Sequence, residues 1–192
     1  YPYPEALAFT WADPFRGDRV NEVLAQDSSA TLAKSMALQV DVTALPARQL
    51  TPLLLQAPIS DPKGVEALEW MRNWDYQLLP ESVAAGMYVA WERALVKEVR
   101  KQLVPETVQG LIQPPLTQII RWMNQPELVF KENAIPQRDL LLAQTWATAL
   151  NDLTKQLGPK LTDWVYGQAA YKHIALQHPL SKWVDAQTQQ QI

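Results

Sequence analysis

The chain has 192 residues, 47% of them apolar and 19% charged, with a formal net charge of −3, which is the balance of a globular domain large enough to bury a real core. That charge leaves no basic footprint for nucleic acid or anionic lipid, and no run approaches the ~18 apolar residues of a membrane span. Cysteine is absent, which excludes disulfides, thiolate chemistry and Cys-based zinc sites.

Three early prolines (Pro2, Pro4, Pro14) predict an extended lead-in over residues 1–16, because each fixes its own φ and biases its predecessor away from the helical region. Helix is expected only after Gly17, capped by Asp18, with Arg19 in its first turn and Val20, Val23 and Leu24 on one face. A second helix is expected over Thr31–Val40, capped by Thr31 or Ser29 and turning Leu32, Met36 and Gln39 to one side. Thr43 starts a third, Leu45–Leu55, with Pro46 acceptable in a first turn where its missing N–H costs nothing. Gly64–Trp74 follows, burying Val65, Leu68 and either Met71 or the stem of Arg72.

Ser82–Leu103 is the longest segment, with Val83, Met87, Ala90, Trp91, Ala94 and Leu95 as a continuous apolar stripe between Pro80 and Pro105. It is the expected physical centre. Leu116–Met123 predicts a short helix and Asn124–Gln137 a loop. Asp139–Leu157 is strongly helical, with Leu142, Trp146, Ala149, Leu150, Leu153 and Leu157 on one face, and Gly158-Pro159 stops it. After Trp164 a turn at Tyr166-Gly167 and a short irregular return are expected. No strand alternation runs beyond four residues, so the class is mainly α: a single irregular orthogonal domain of about six to eight helices over residues 1–192.

Among catalytic signatures, G-x-S-x-G, H-E-x-x-H and a Gly-rich phosphate loop are all absent, and the six serines are expected at caps or in loops. His173 and His178 are five apart, whereas two ligands on one helix face need four, so a structural role is preferred for both. The eight tryptophans read as core and interface mass, since no basic residues interleave them. Asp61, Glu66, Glu69 and Asp75 read as a solvated face.

Three stretches carry a resemblance. The first is Y-P-x-x-E-x-x-x-F-x-W from Tyr1, followed by Asp18-Arg19-Val20-x-Glu22. The second is Gln39-x-Asp41 with Pro46-Ala47-Arg48 and Leu50-x-Pro52-Leu53-Leu54. The third is Tyr166-Gly167-Gln168 with Lys172-His173 and His178-Pro179-Leu180-Ser181. In this order they resemble the penicillin acylase family of N-terminal nucleophile hydrolases, over nearly the whole chain and well inside the β subunit.

The resemblance implies a helical fragment of a larger αββα hydrolase that cleaves the amide of a small N-acyl substrate, a β-lactam antibiotic or an acyl-homoserine lactone. It implies a nucleophilic Ser exposed by self-cleavage of a zymogen, whose own α-amino group is the base; with Tyr at position 1, that Ser is expected upstream, as is the oxyanion-hole Asn. The implied partners are the remainder of the β subunit and the α subunit, in a periplasmic or secreted enzyme. Arg19 matches a family arginine that organises the nucleophile's surroundings. Three extra residues between Trp11 and Asp18-Arg19 leave Arg16 as a competitor for that role. Glu5 matches an acidic position that ligates a structural calcium shared with the rest of the enzyme; its alternative is a solvated loop carboxylate. The rival from another class is a non-catalytic helical protein-interaction module.

Overall fold

A computed structural model describes residues 12–171 and 173. Seven α-helices lie among the described residues: α1 (Phe15–Gln26), α2 (Leu32–Gln39), α3 (Leu45–Leu54), α4 (Pro62–Arg72), α5 (Val83–Leu103), α6 (Leu116–Asn124) and α7 (Ala134–Leu157). Single 3₁₀ turns stand at Glu106–Val108, Pro126–Leu128 and Leu161–Asp163. The one extended pairing among the described residues is an isolated antiparallel bridge, Thr43 with Gln77. The mainly α class is as expected.

Most helix ends follow local chemistry. Thr31, Asp61 and Ser82 accept side-chain bonds from the amides of Lys34, Gly64 and Ala85, the usual N-cap geometry. Gly158, at φ +88°, ends α7 in a conformation that residues with a Cβ rarely adopt. Asp139–Leu157 proves too short a prediction, because α7 begins at Ala134. Pro136 stands in its first turn, where a missing N–H is harmless, so it marks the start of the helix and not a loop.

α1 also begins early. Pro14 is its N-cap, and the bond from the Asp18 amide to the Pro14 carbonyl (2.9 Å) closes the first turn. Gly17 therefore lies inside the helix, Asp18 is not the cap, and Arg19 stands in the second turn. Helix is thus already present at residues 15 and 16, the end of the expected extended lead-in, and residues 1–11 of that lead-in lie outside the described residues. The third helix begins at Leu45 as expected, with Ala44 rather than Thr43 at its N-cap.

α5 and α7 form the centre, flanked by α3, α4 and α6. Trp91 of α5 and Trp146 of α7 meet edge to face at 6.3 Å, both about 1% exposed or less. Each indole N–H is satisfied: Trp91 donates to Thr145 Oγ1 (3.1 Å) and Trp146 to the Gly64 carbonyl on α4 (3.2 Å). Tyr88 and Trp74 extend the aromatic line toward the α3–α4 side. The expected α5 stripe is largely right, although Ala90 and Ala94 are half-buried while Ala84, Ala85 and Gly86 are fully packed.

The expected apolar face of α2 does not enter the core, and on α4 Leu68 and Met71 are buried as expected while Val65 is not. Leu32 and Met36 of α2 are 78% and 60% exposed, and Val65 of α4 is 42% exposed. Neither α1 nor α2 buries a single residue. Periodicity identified the stripe on α2 correctly, but no described element covers it.

Candidate functional site

Phe15 packs against the core, and the other contacts that tie α1 and the loop after α2 to the body are mainly polar. At the entry to α1, Asp13 reaches across to the start of α6. Its carboxylate accepts from the amides of Leu116 (3.0 Å) and Thr117 (2.9 Å) and from the Thr117 hydroxyl (2.6 Å). It serves as a cap for a helix more than a hundred residues away, where carboxylates are favoured by the orphan amides and the helix dipole. Burial works against its ionisation, but the Thr117 and Leu116 bonds outweigh it and hold the carboxyl below its usual range.

Along α1, Arg16, Arg19 and Glu22 recur every three residues and so share one face. That face meets the loop after α2 and the start of α3. Arg19 Nε donates to both oxygens of Asp41 (3.2 Å each) and Nη2 to Oδ2 (2.8 Å), while Nη1 donates to Glu22 Oε2 (3.0 Å). Arg48 of α3 donates to the other Glu22 oxygen (2.8 Å). Arg16 instead takes main-chain acceptors, the carbonyls of Gln39 (2.8 Å) and Asp41 (3.4 Å). The Thr43 amide completes the set by donating to Asp41 Oδ1 (2.9 Å).

The charge balance follows from these contacts. The Arg19 guanidinium holds the Asp41 carboxyl far below the ordinary carboxylate range, with the Thr43 amide assisting against a smaller opposing effect of burial. Arg19 is in turn made more basic, first by Asp41 and then by Glu22. The bonds from Arg48 and Arg19 likewise lower the Glu22 carboxyl. The Arg19 and Asp41 side chains are 20% and 17% exposed, so Arg19 is more enclosed than an early helical arginine is expected to be. Partly exposed ion pairs add roughly 1 kcal/mol or less of stability. What this pair supplies is geometry, a carboxylate gripping the Nε edge of the guanidinium.

The first two sequence stretches are thereby joined: Arg19 and Glu22 from one, Asp41 and Arg48 from the other. Sequence reasoning singled out Arg19 and missed Asp41 and Glu22 as its partners and Arg48 as the second donor to Glu22. The available signal was opposite charges at three-residue spacing on α1, facing a second segment with its own Asp and Arg. Arg19, which stands in the motif register, and its competitor Arg16 differ in what they hold: carbonyls for Arg16, carboxylates for Arg19.

The described part of the third stretch, residues 166–168 with His173, is a structural clasp. The amides of Tyr166 and Gly167 bond the carbonyls of Ser82 (3.0 Å) and Pro80 (2.7 Å), and a Cβ on Gly167 would stand 2.6 Å from Pro80 Cβ. Gln168 bonds both the amide and the carbonyl of Tyr171 (3.0 Å each). The His173 ring stacks on Tyr166 at 4.5 Å, with Nε2 2.6 Å from the Tyr166 carbonyl, and Arg93 donates to the His173 carbonyl (2.6 Å). His178 and Glu5 lie outside the described residues.

Other groups have local duties. Asp61 caps α4, Glu69 pairs with Arg72 and Asp75 accepts from the Gln77 amide. Ser35 is inside α2 rather than at a cap or in a loop. A groove of about 740 Å³ between α5 and α7, bordered by Arg93, Lys97, Thr148, Asp152 and Tyr171, contains no residue of the Arg19 network. Among the described residues no group of three or more His, Cys, Asp or Glu could hold a metal ion, and no helix is long and apolar enough to cross a membrane.

No curated protein matches the chain significantly. The family model described as penicillin amidase matches residues 1–191, essentially the whole length. The chain therefore belongs to the penicillin amidase family, and the enzyme it serves is a hydrolase.

Proposed function

We propose that this chain is the helical domain of the β subunit of a penicillin acylase-like amidohydrolase, cleaving the amide bond of an N-acyl substrate such as a β-lactam antibiotic or an acyl-homoserine lactone. The observation that carries the reading is the Arg19 network, in which two separate family-like stretches converge on one guanidinium. Arg19 is assigned a supporting role beside the nucleophile and the oxyanion-hole Asn, both supplied from outside this chain. A guanidinium is permanently charged and presents five donors in a fixed plane, which suits it to hold a carboxylate and an amide carbonyl together.

The proposed partners are the remainder of the β subunit and the α subunit, in a periplasmic or secreted enzyme matured by self-cleavage. The apolar residues of α2 support a covered face: Leu32, Met36 and neighbouring Val40 are 60–78% exposed, which an aqueous surface does not favour. The same face is what the rival reading, a non-catalytic interaction module, would use. A structural calcium is proposed, on the family resemblance, to draw one ligand from Glu5 and the rest from outside the chain. An unchanged melting temperature of the parent enzyme after chelation would count against it.

The test is activity. The purified 192-residue chain should not release the chromophore from a phenylacetyl anilide above buffer, whereas the processed parent enzyme should turn over this or another N-acyl amide. Turnover by the isolated chain, or a parent gene encoding no Ser at a processed N-terminus, overturns the reading.

A further inference from the structure

The guanidinium of Arg19 is only partly used. Of its five N–H groups, Nε–H and one on Nη2 go to Asp41 and one on Nη1 goes to Glu22. One N–H on each Nη therefore has no acceptor among the described residues. The direction of this remaining pair is set by the carboxylate that clamps the opposite edge, because the guanidinium is rigid and planar.

Asp41 is itself held from several sides. The Thr43 amide fixes one carboxylate oxygen at 2.9 Å, and Arg16 ties down the Asp41 and Gln39 carbonyls. The adjoining chain is anchored again by backbone bonds from Leu78 to the Val42 carbonyl (3.0 Å) and from Ala44 to the Tyr76 carbonyl (2.9 Å). A carboxylate so restrained is a fixed reference, while a long arginine side chain on α1 is not.

We propose that Asp41 is the positioning residue for Arg19: it sets the plane of the guanidinium so that the two outward N–H groups meet an acceptor supplied by the nucleophile-bearing part of the enzyme. The inference rests on the supporting role assigned to Arg19 above. Asp41 itself touches neither substrate nor nucleophile. Glu22, held by a single bond to Arg19 and shared with Arg48, is a secondary restraint.

The experiment is a double-mutant cycle in the processed parent enzyme, reading kcat, KM and Tm for Arg19→Lys, Asp41→Asn and the pair. Lys keeps the charge without the planar fork, and misplacing a support by ~1 Å costs about 10²-fold, so Arg19→Lys should lower kcat about 10²-fold. Asn retains an oxygen for the Thr43 amide but removes the charge that orients the guanidinium. Asp41→Asn should fall within about threefold of Arg19→Lys, with KM little changed and the double variant no worse than either single one. Purely structural damage would move Tm and leave kcat of the folded fraction intact.

Normal kcat for Arg19→Lys overturns the role of Arg19 and this inference with it. A damaging Arg19→Lys beside a fully active Asp41→Asn, or losses that multiply in the double variant, overturns the positioning role alone. Should Asp41→Asn not fold, Asp41→Glu serves in its place. It keeps the charge but shifts it by one methylene, and is expected to lose about tenfold in kcat at unchanged Tm; an undiminished kcat refutes the proposal.

Discussion

Replacing Gly86 by alanine sets helix propensity against tertiary packing. Gly86 lies within α5, and by propensity alone Gly→Ala in a helix interior should stabilise by about 1 kcal/mol. The structure forbids that gain. A Cβ on Gly86 would stand 2.0 Å from the Trp164 carbonyl oxygen, whereas carbon–oxygen contacts of this kind lie near ~3.3 Å. The obstacle is backbone, so no rotamer change relieves it. The segment must retreat by more than ~1 Å, straining the bonds from Tyr166 and Gly167 to Ser82 and Pro80 and unseating the fully buried Trp164 indole. Overpacking of this kind costs ~1–3 kcal/mol and each loosened hydrogen bond ~1, so net destabilisation of roughly 2–4 kcal/mol is expected after the propensity gain. For a chain of this size that is a fall in Tm of roughly 5–15 °C, read by circular dichroism at 222 nm. Gly17→Ala is the control: it lies within α1 with nothing within 4 Å of its Cβ, and should be neutral or slightly stabilising. A Gly86→Ala chain as stable as the native one would refute the packing of the Trp164 segment on α5.

Trp146→Ala should destabilise by about 3–5 kcal/mol in urea unfolding, since it empties the α5–α7–α4 junction and frees the Gly64 carbonyl; a change below ~1 kcal/mol would show the site to be loosely packed. Glu92 gives a pH-dependent test. Burial raises its carboxyl above the ordinary value despite the bond from the Tyr88 hydroxyl and the nearby Arg93, with the charge of Asp13 adding to the rise. The native state therefore binds this proton at higher pH than the unfolded chain, so the group costs stability as pH rises from its unfolded value of ~4.3 through the higher folded one. Glu92→Gln should raise Tm at pH 7, with a difference that shrinks toward pH 4; a stabilisation independent of pH would refute the burial argument.

The legible part of this protein was local. Ser82 and Thr31 accept from the amides three residues ahead of them and Gly158 stops α7, because capping is decided by the orphan amides and carbonyls of a single turn; Asp61, read as part of a solvated face, caps α4 by the same chemistry. Pro14 and Pro136 misled the prediction for the same reason in reverse: proline that interrupts a helix and proline that opens one look alike until the first-turn bonds are seen. Motif order was also legible, and it was enough to identify the family.

Tertiary structure alone decided which charges meet. Arg19 and Asp41 are 22 residues apart, and Asp13 and Thr117 are 104 apart. No periodicity encodes such pairs, because they depend on where the loop after α2 and the start of α6 come to rest. It also decided that the apolar stripe on α2 stays outside the described core, and that Gly86 is required by a carbonyl some eighty residues downstream rather than by its own backbone. Sequence specifies what each turn of helix can bond; the path of the chain specifies what it finds there.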